Sequence, residues 1–289
     1  MAAPTLSGHP WDQAAEGWNR HAGLIREWLR PATDAMLAAA HIAPGARLLD
    51  IAAGAGDQTL DIAERIGPSG RVLATDISPR ILELAQANAV AAGHAQVETR
   101  VADAQALGLA GANFDAAVSR LGLMFCTTPL DALKQARAAL KPGGHFSALV
   151  FSGPQTNPCL ALMMRTALWH AGRPAASPFA PGTLMSLGEP GLLARLLHSA
   201  GFDRISVQAV QAPFRFPTSR EYVEFVRTSG SPLMQLLAPL SEAAQRAAWD
   251  DMVEQLTVFA TPTGWVGPNE LLLCSAAAPS SVTNFGSTP

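Results

Sequence analysis

Residues 48–59, Leu48-Leu49-Asp50-Ile51-Ala52-Ala53-Gly54-Ala55-Gly56-Asp57-Gln58-Thr59, decide the fold of this chain. An apolar run carries an acidic residue to its carboxyl end, and the small residues after it let the backbone turn tightly before a helix starts. A buried strand, a tight turn and a helix N-terminus together open a βαβ unit that can seat a ligand on the turn. Similar loops serve NAD, FAD and phosphates, so the loop by itself names no ligand.

Working outward, short apolar runs alternate with helical stretches from 46 to 151, the signature of successive βαβ units in a mostly parallel sheet. Strands are expected at 46–51, 71–75, 97–101, 114–119 and 145–151. Helices are expected at 57–66, from Pro79 to Gly93 with Ser78 as cap, and from Pro129 to Leu140 after Thr128. The run Lys141-Pro142-Gly143-Gly144 reads as a turn. On the amino-terminal side, 11–41 reads as helix, with Pro31 in the first turn of a second helix. Beyond 151 the pattern loosens: a helix at 160–170, a loop at 171–182 and an amphipathic helix at 191–200. Late strands are expected at 204–210 and 270–276, with about two helices between 219 and 259. The expected fold is α/β, a doubly wound seven-stranded mostly parallel sheet under a mostly helical lid. Its divisions are an N-terminal helical lid segment at 1–42, a ligand-binding core at 43–151, lid helices and closing strands at 152–278, and a disordered tail at 279–289.

Bulk composition narrows the function. The 289 residues are 48% hydrophobic and 15% charged, enough to bury a core in one α/β domain with decoration. A formal net charge of −3 offers no footprint for a phosphate backbone, so nucleic acid is not the expected partner. No run reaches roughly 18 apolar residues, and the first ten lack a basic start followed by an apolar stretch, so a cytoplasmic protein without a membrane span is expected. Cys126, Cys159 and Cys274 are odd in number and far apart, which suggests neither a disulfide framework nor a zinc site.

Asp76 stands twenty residues past Gly56, at the end of the second strand. Doubly wound folds place there a carboxylate that accepts both ribose hydroxyls, so Asp76 points to adenosine without naming the cofactor. A dinucleotide loop wants a third glycine where Thr59 stands, and Asp50 would repel a pyrophosphate while attracting a sulfonium cofactor that bears an ammonium group.

The segments LLDIAAGAGDQTL, VLATDISPRIL, RVADAQAL, FDAAVSRLGLMF and LKPGGHFSALVF, in this order across about half the chain, resemble the class I S-adenosylmethionine-dependent methyltransferases. The resemblance is greatest to the branch containing the ubiquinone and menaquinone C-methyltransferases. One departure is Ala52, which replaces the first glycine of that family's D/E-x-G-x-G-x-G loop. The resemblance implies that Asp50 orients the loop and the amino-acid end of S-adenosylmethionine, while Gly54 and Gly56 let the backbone pass close to the methionine moiety. It implies that Asp76 holds the ribose, Ile77 covers the adenine, and Asp103 with the Ala104 amide meets the adenine edge. Arg120 stands where relatives place a polar contact to the methionine part, so it reaches either the cofactor carboxylate or an acidic acceptor. Trp18 corresponds to an aromatic that relatives carry in the N-terminal helix.

Trp11, Trp18 and Trp28 can line a pocket over a sulfonium or serve only as packing. The stripe Leu160, Leu162, Met163, Met164, Leu168 and Trp169 can roof an apolar acceptor cavity or pack a lid helix. No general base stands out; His21 and His170 are candidates in segments able to cover the pocket, whereas His41, His94 and His145 belong to the opposite end of the strands. The expected activity is SN2 methyl transfer from S-adenosylmethionine to a small apolar or aromatic acceptor, with positioning and water exclusion as its main terms. An NAD-dependent oxidoreductase and a catalytically silent methyltransferase-like binding protein are the alternatives. The acceptor atom and the oligomeric state are not legible.

Overall fold

The computed structural model describes residues 10–229 and 231–280, and the disorder expected of the tail falls, from 281 onward, outside them. Two helices come first, α1 (Pro10–Arg20) and α2 (Ala22–Ala39), then β1 (Arg47–Ile51), α3 (Asp57–Ile66), β2 (Arg71–Asp76), α4 (Pro79–Ala91) and β3 (Val97–Val101). The core continues through β4 (Phe114–Arg120), α5 (Pro129–Ala139), β5 (Leu140–Phe151), α6 (Pro158–His170) and α7 (Leu192–Ser199). The carboxyl half supplies β6 (Asp203–Gln211), β7 (Phe214–Phe216), α8 (Ser219–Ser229), α9 (Ser231–Leu237), α10 (Glu242–Gln255), β8 (Ala260–Thr261), β9 (Gly264–Gly267) and β10 (Glu270–Ala277).

Seven strands form one sheet in the order β3-β2-β1-β4-β5-β10-β6. Strands β1 to β5 pair in parallel, with Leu49 opposite Leu73 and Asp50 opposite Val118, and β10 runs antiparallel between β5 and β6. The doubly wound, mostly parallel fold is therefore present, and its order reverses between β1 and β4. Such a reversal opens a crevice at the carboxyl ends of the strands. The central strands are buried on both faces, as in Leu48, Leu49, Ala117, Val118, Leu149 and Val150. That is why they read as continuous apolar runs rather than alternating ones.

Several expectations need correction. Pro31 does not open a helix: it lies inside α2, which starts at Ala22 with His21 as its N-cap, so the break falls ten residues earlier. The ring is tolerated because Pro31 is on the exposed face. Lys141-Pro142-Gly143-Gly144 is not a free turn but an irregular part of β5, because the Gly143 amide donates to Ala278 O at 3.0 Å and the Ala278 amide to Gly144 O at 2.8 Å. Three helices rather than two lie between 219 and 259. A second sheet, β7-β9-β8, was not anticipated; strands of two to four residues carry too few side chains to show a period.

The lid is also divided differently. α2 packs on β5 and β10, and α7 on β6 and α5, so both flank the sheet. The cover over the crevice comes from α1, α6, α8 and α9, braced by the small sheet. Trp265 of β9 is fully buried, stacks on Tyr222 at 4.5 Å between ring centres, and donates from Nε1 to Leu256 O at 2.7 Å. Phe214 of β7 stacks on Trp28 of α2 at 4.3 Å, which ties the lid to the core. Among the described residues, no helix is long and apolar enough to cross a membrane.

Candidate functional site

The loop after β1 is shaped by its backbone. Ala52, Gly54 and Gly56 all adopt positive φ, at 57°, 58° and 87°. Gly56 is the N-cap of α3, and a Cβ there would stand 3.1 Å from that of Ala85, so glycine lets α3 and α4 approach. The Ala52 methyl fits because Gly122 leaves room for it; a Cβ on Gly122 would come within 2.3 Å of that methyl.

A hollow of about 960 Å³, counting its mouth, opens over this loop at the carboxyl ends of β1, β2 and β4. Of the residues singled out in the sequence, Ala52, Gly54, Asp76, Ile77, Asp103, Ala104, Arg120 and Trp18 line it. Asp76, the last residue of β2, is held by two amides: Oδ2 accepts from Gly54 N and Oδ1 from Ser78 N, each at 3.0 Å. The carboxylate is thereby aimed before any ligand arrives. Asp103 caps a short 3-10 turn, accepting from the Gln105 amide at 2.8 Å and from its side-chain nitrogen at 3.2 Å. The Gln105 Oε1 in turn accepts from Thr128 N and Oγ1, both at 2.7 Å, fixing the Asp103 loop to the start of α5.

Asp50 and Gly56 do not line the hollow. Asp50 is fully buried beneath the loop, where Thr59 Oγ1 donates to Oδ2 at 2.7 Å and Gln58 Nε2 donates to Oδ1. It pins the first turn of α3 from beneath, through one bond to each carboxylate oxygen. Burial, opposed by these two bonds and by Arg120, pushes its carboxyl up to about 7 from 3.8. The sign follows from linkage: the folded state holds the proton more tightly, so this stabilisation is complete below about pH 4 and is lost as pH rises to about 7. Asp50→Asn should therefore gain on the wild type in melting temperature from pH 5 to 7 and level off above. A difference that stays constant across that range would contradict burial as the dominant cause.

The hollow also contains residues the sequence had not singled out: Asp57, Gln58, Gln105, Leu121, Gly122, Phe125 and Cys126. Burial, with Asp103 adding to it, pushes the Cys126 thiol up to about 12, so it serves as a small neutral wall. Arg120 is almost wholly buried, with 4% of its side chain exposed; its Nη2 pairs with Asp57, and Nη1 donates to Thr33 Oγ1 at 3.0 Å. Three carboxylates, Asp57, Asp76 and Asp103, face one guanidinium, a formal balance of −2 in the walls.

A second chamber of about 700 Å³, counting its open mouth, adjoins the first, sharing Trp11, Trp18, Leu121 and Phe125. Among the described residues no titratable side chain lines it, and the Ser229 hydroxyl donates to Phe225 O at 2.6 Å. Trp11 meets Phe125 edge-on at 4.9 Å, and Leu121 holds φ of +58°, uncommon for a bulky residue, at the boundary of the two spaces. Trp28, Leu160 and Met164 also line this chamber. Trp169, read as able to roof a cavity or to pack a lid helix, does neither, being 79% exposed.

Neither candidate base reaches these walls. His21 lies 2.9 Å from Thr228 Oγ1 and edge-on to Phe225, and burial, then Arg20, lowers its pKa. His170 Nε2 lies 2.9 Å from Asp251 on α10. The helix α1 brings both shared tryptophans to the walls and is seated by Asp12 against Ser78, Glu16 against Arg80 and Asn19 against Asn88. Gly17 permits its close crossing with α8, since a Cβ there would overlap the Thr228 carbonyl.

The model of the ubiE/COQ5 methyltransferase family matches residues 24–169. The chain is 37% identical over 145 residues to the ubiquinone/menaquinone biosynthesis C-methyltransferase UbiE of Ectopseudomonas mendocina, covering 50% of this chain and 55% of that one. The chain thus spans about half the length of that relative. It is 27% identical over 229 residues to the uncharacterized protein Rv1405c of Mycobacterium tuberculosis, covering 79% and 80%. Among solved structures it is similar in fold to the [4+2]-cyclase SpnF, with a TM-score of 0.57, 18% identity and coverage of 97% and 99%. It is likewise similar to phosphoethanolamine N-methyltransferase 2 of Haemonchus contortus, solved with S-adenosyl-L-methionine, with a TM-score of 0.54, 18% identity and coverage of 86% and 52%.

Proposed function

Because this chain belongs to the ubiE/COQ5 methyltransferase family, we propose that it moves a methyl group from S-adenosylmethionine to a small apolar acceptor, with the cytoplasm as its compartment. The observation that carries this reading is the pairing of two unlike spaces across one wall: an acidic hollow beside a chamber whose described lining is apolar.

The hollow suits this cofactor chemically. Asp76, already oriented by two amides, is the acceptor for the ribose hydroxyls. Asp103 and the Ala104 amide take the adenine edge, and Ile77 its face. Arg120 and Asp57, opposite in charge and side by side, match the carboxylate and ammonium of the amino-acid end. A wall balance of −2 favours a sulfonium-bearing cationic ligand and opposes a pyrophosphate, which argues against the NAD-dependent alternative. The carboxylates that oppose a pyrophosphate are Asp57, Asp76 and Asp103, which line the hollow, and not Asp50, which lies beneath it.

When bound, the sulfonium supplies an electrophilic methyl to a nucleophile placed in line with it. The chain's own part is to hold, orient and keep dry. Trp11, Trp18, Leu121 and Phe125 form the wall shared by cofactor and acceptor, and the tryptophan faces offer cation-π attraction to positive charge. The described lining of the acceptor chamber is apolar apart from the Ser229 hydroxyl, so its contribution is to place the acceptor's nucleophile and exclude water, and proximity does most of the work. The quinone-pathway relatives support an aromatic or isoprenoid-like acceptor.

Calorimetric titration of the full chain tests the assignment. S-Adenosylmethionine and S-adenosylhomocysteine should both bind saturably, the methylated form at least as tightly, and NADH should give no heat. Binding of NADH, or of neither adenosyl ligand, would sink the proposal.

A further inference from the structure

The two edges of the main sheet are built differently. β3 is five residues long, Glu98 and Arg100 give it charge, and Arg100 reaches across to the Leu107 carbonyl of the following loop. That edge is short, charged and overhung, three devices that discourage further strand pairing. β6 runs nine residues, pairs among the described residues only with β10, and has no buried side chain along its length.

From Ile205 to Gln211 this strand contains no charged residue and no proline. Its register against β10 is irregular only between Ser275 and Ala277, beside the start of β6, which leaves Ser206–Gln211 in regular pairing. Asp203 and Arg204, the only charges on the strand, sit together at one end with Arg204 Nε 3.3 Å from Asp203 Oδ1. A free edge of this kind presents main-chain N–H and C=O groups in a row with none of the usual protection.

We propose that β6 pairs antiparallel with β6 of a second copy, joining two seven-stranded sheets into one across a two-fold axis. An antiparallel strand is its own complement in main-chain donors and acceptors, and two-fold contacts are self-complementary by construction. An axis normal to the sheet keeps each face on its own side, so Val207 and Ala209 meet their counterparts on one face and Ser206 and Gln208 on the other. No like charges are opposed between Ile205 and Gln211, because none is present. The edge lies three strands from β4 and away from the cofactor hollow, so this inference does not depend on the methyltransferase reading.

Light scattering coupled to size exclusion, with sedimentation equilibrium for the constants, tests it on the full chain at micromolar concentrations. The wild type should have the mass of a dimer. Val207→Lys, at a position already 37% exposed, should raise the dissociation constant about tenfold or more by placing like charges across the axis. Ala209→Pro should do so by removing a ladder donor. Val90→Lys, at a 68% exposed position on α4, should leave the dimer intact, and a cooperative melting curve reports that each variant is folded. Should Ala209→Pro fail to fold, Val207→Lys decides alone. A wild type that is monomeric throughout, or a dimer as tight in Val207→Lys as in the wild type, overturns the proposal.

Discussion

Asp76→Ala is expected to weaken S-adenosylmethionine binding by about a hundredfold, the largest loss from any single change in the hollow. The carboxylate is to accept two ribose hydroxyls, and a hydrogen bond to a charged group contributes about 1.5–3 kcal/mol, so two lost together give at least about 3 kcal/mol and two decades in affinity. The substitution also frees the Gly54 and Ser78 amides, each now donating to Asp76 at 3.0 Å, so the loop loses an anchor as well as the ligand a partner. Asp76→Asn keeps one oxygen acceptor and should fall between the two. Calorimetry gives the affinities, and a melting curve verifies that each variant is folded. An Asp76→Ala protein that binds within threefold of the wild type would mean that the adenosine sits elsewhere.

Why Asp76 could be found in advance, and Asp50 could only be half understood, is a matter of geometry. Spacing along the chain fixes where a residue falls on a strand, and twenty residues from Gly56 to Asp76 is one turn, one helix and one strand of a βαβ unit. Asp103 is placed by the same logic, two residues past β3. Whether a side chain at a strand end looks up into a crevice or down beneath a loop depends on what the next helix offers it. Gln58 and Thr59 claim both oxygens of Asp50, a fact set by how α3 docks. Leu121 and Phe125 belong to the segment FDAAVSRLGLMF, yet nothing in it marks them as wall residues, since a left-handed leucine at a chamber wall leaves no periodic trace. The acceptor chamber was least legible of all. Trp28, Phe151, Leu184, Phe214 and Leu233 converge from separate parts of the chain, and no local pattern announces a contact across nearly two hundred residues.

Arg120→Leu is the second large effect expected, and its value lies in separating two roles. Removing the guanidinium leaves Asp57 buried, with 10% of its side chain exposed, and without its ion-pair partner. Breaking one side of a buried pair costs about 3–5 kcal/mol, and the low end applies here because Asp57 opens α3, where the helix N-terminus favours a negative charge. Adding Asp57→Asn removes the stranded charge, so the double variant should recover most of the lost melting temperature. Ligand affinity should not recover with it. If Arg120 holds the cofactor carboxylate, both variants bind S-adenosylhomocysteine at least about tenfold more weakly, a loss near 1.4 kcal/mol. Methylthioadenosine, which lacks the amino-acid end, should bind all three proteins alike. An unchanged S-adenosylhomocysteine affinity in the stable double variant would reassign Arg120 from the cofactor to the scaffold. Equal losses for both ligands would instead mean that the whole hollow had deformed, since an adenosine contact cannot tell the two molecules apart.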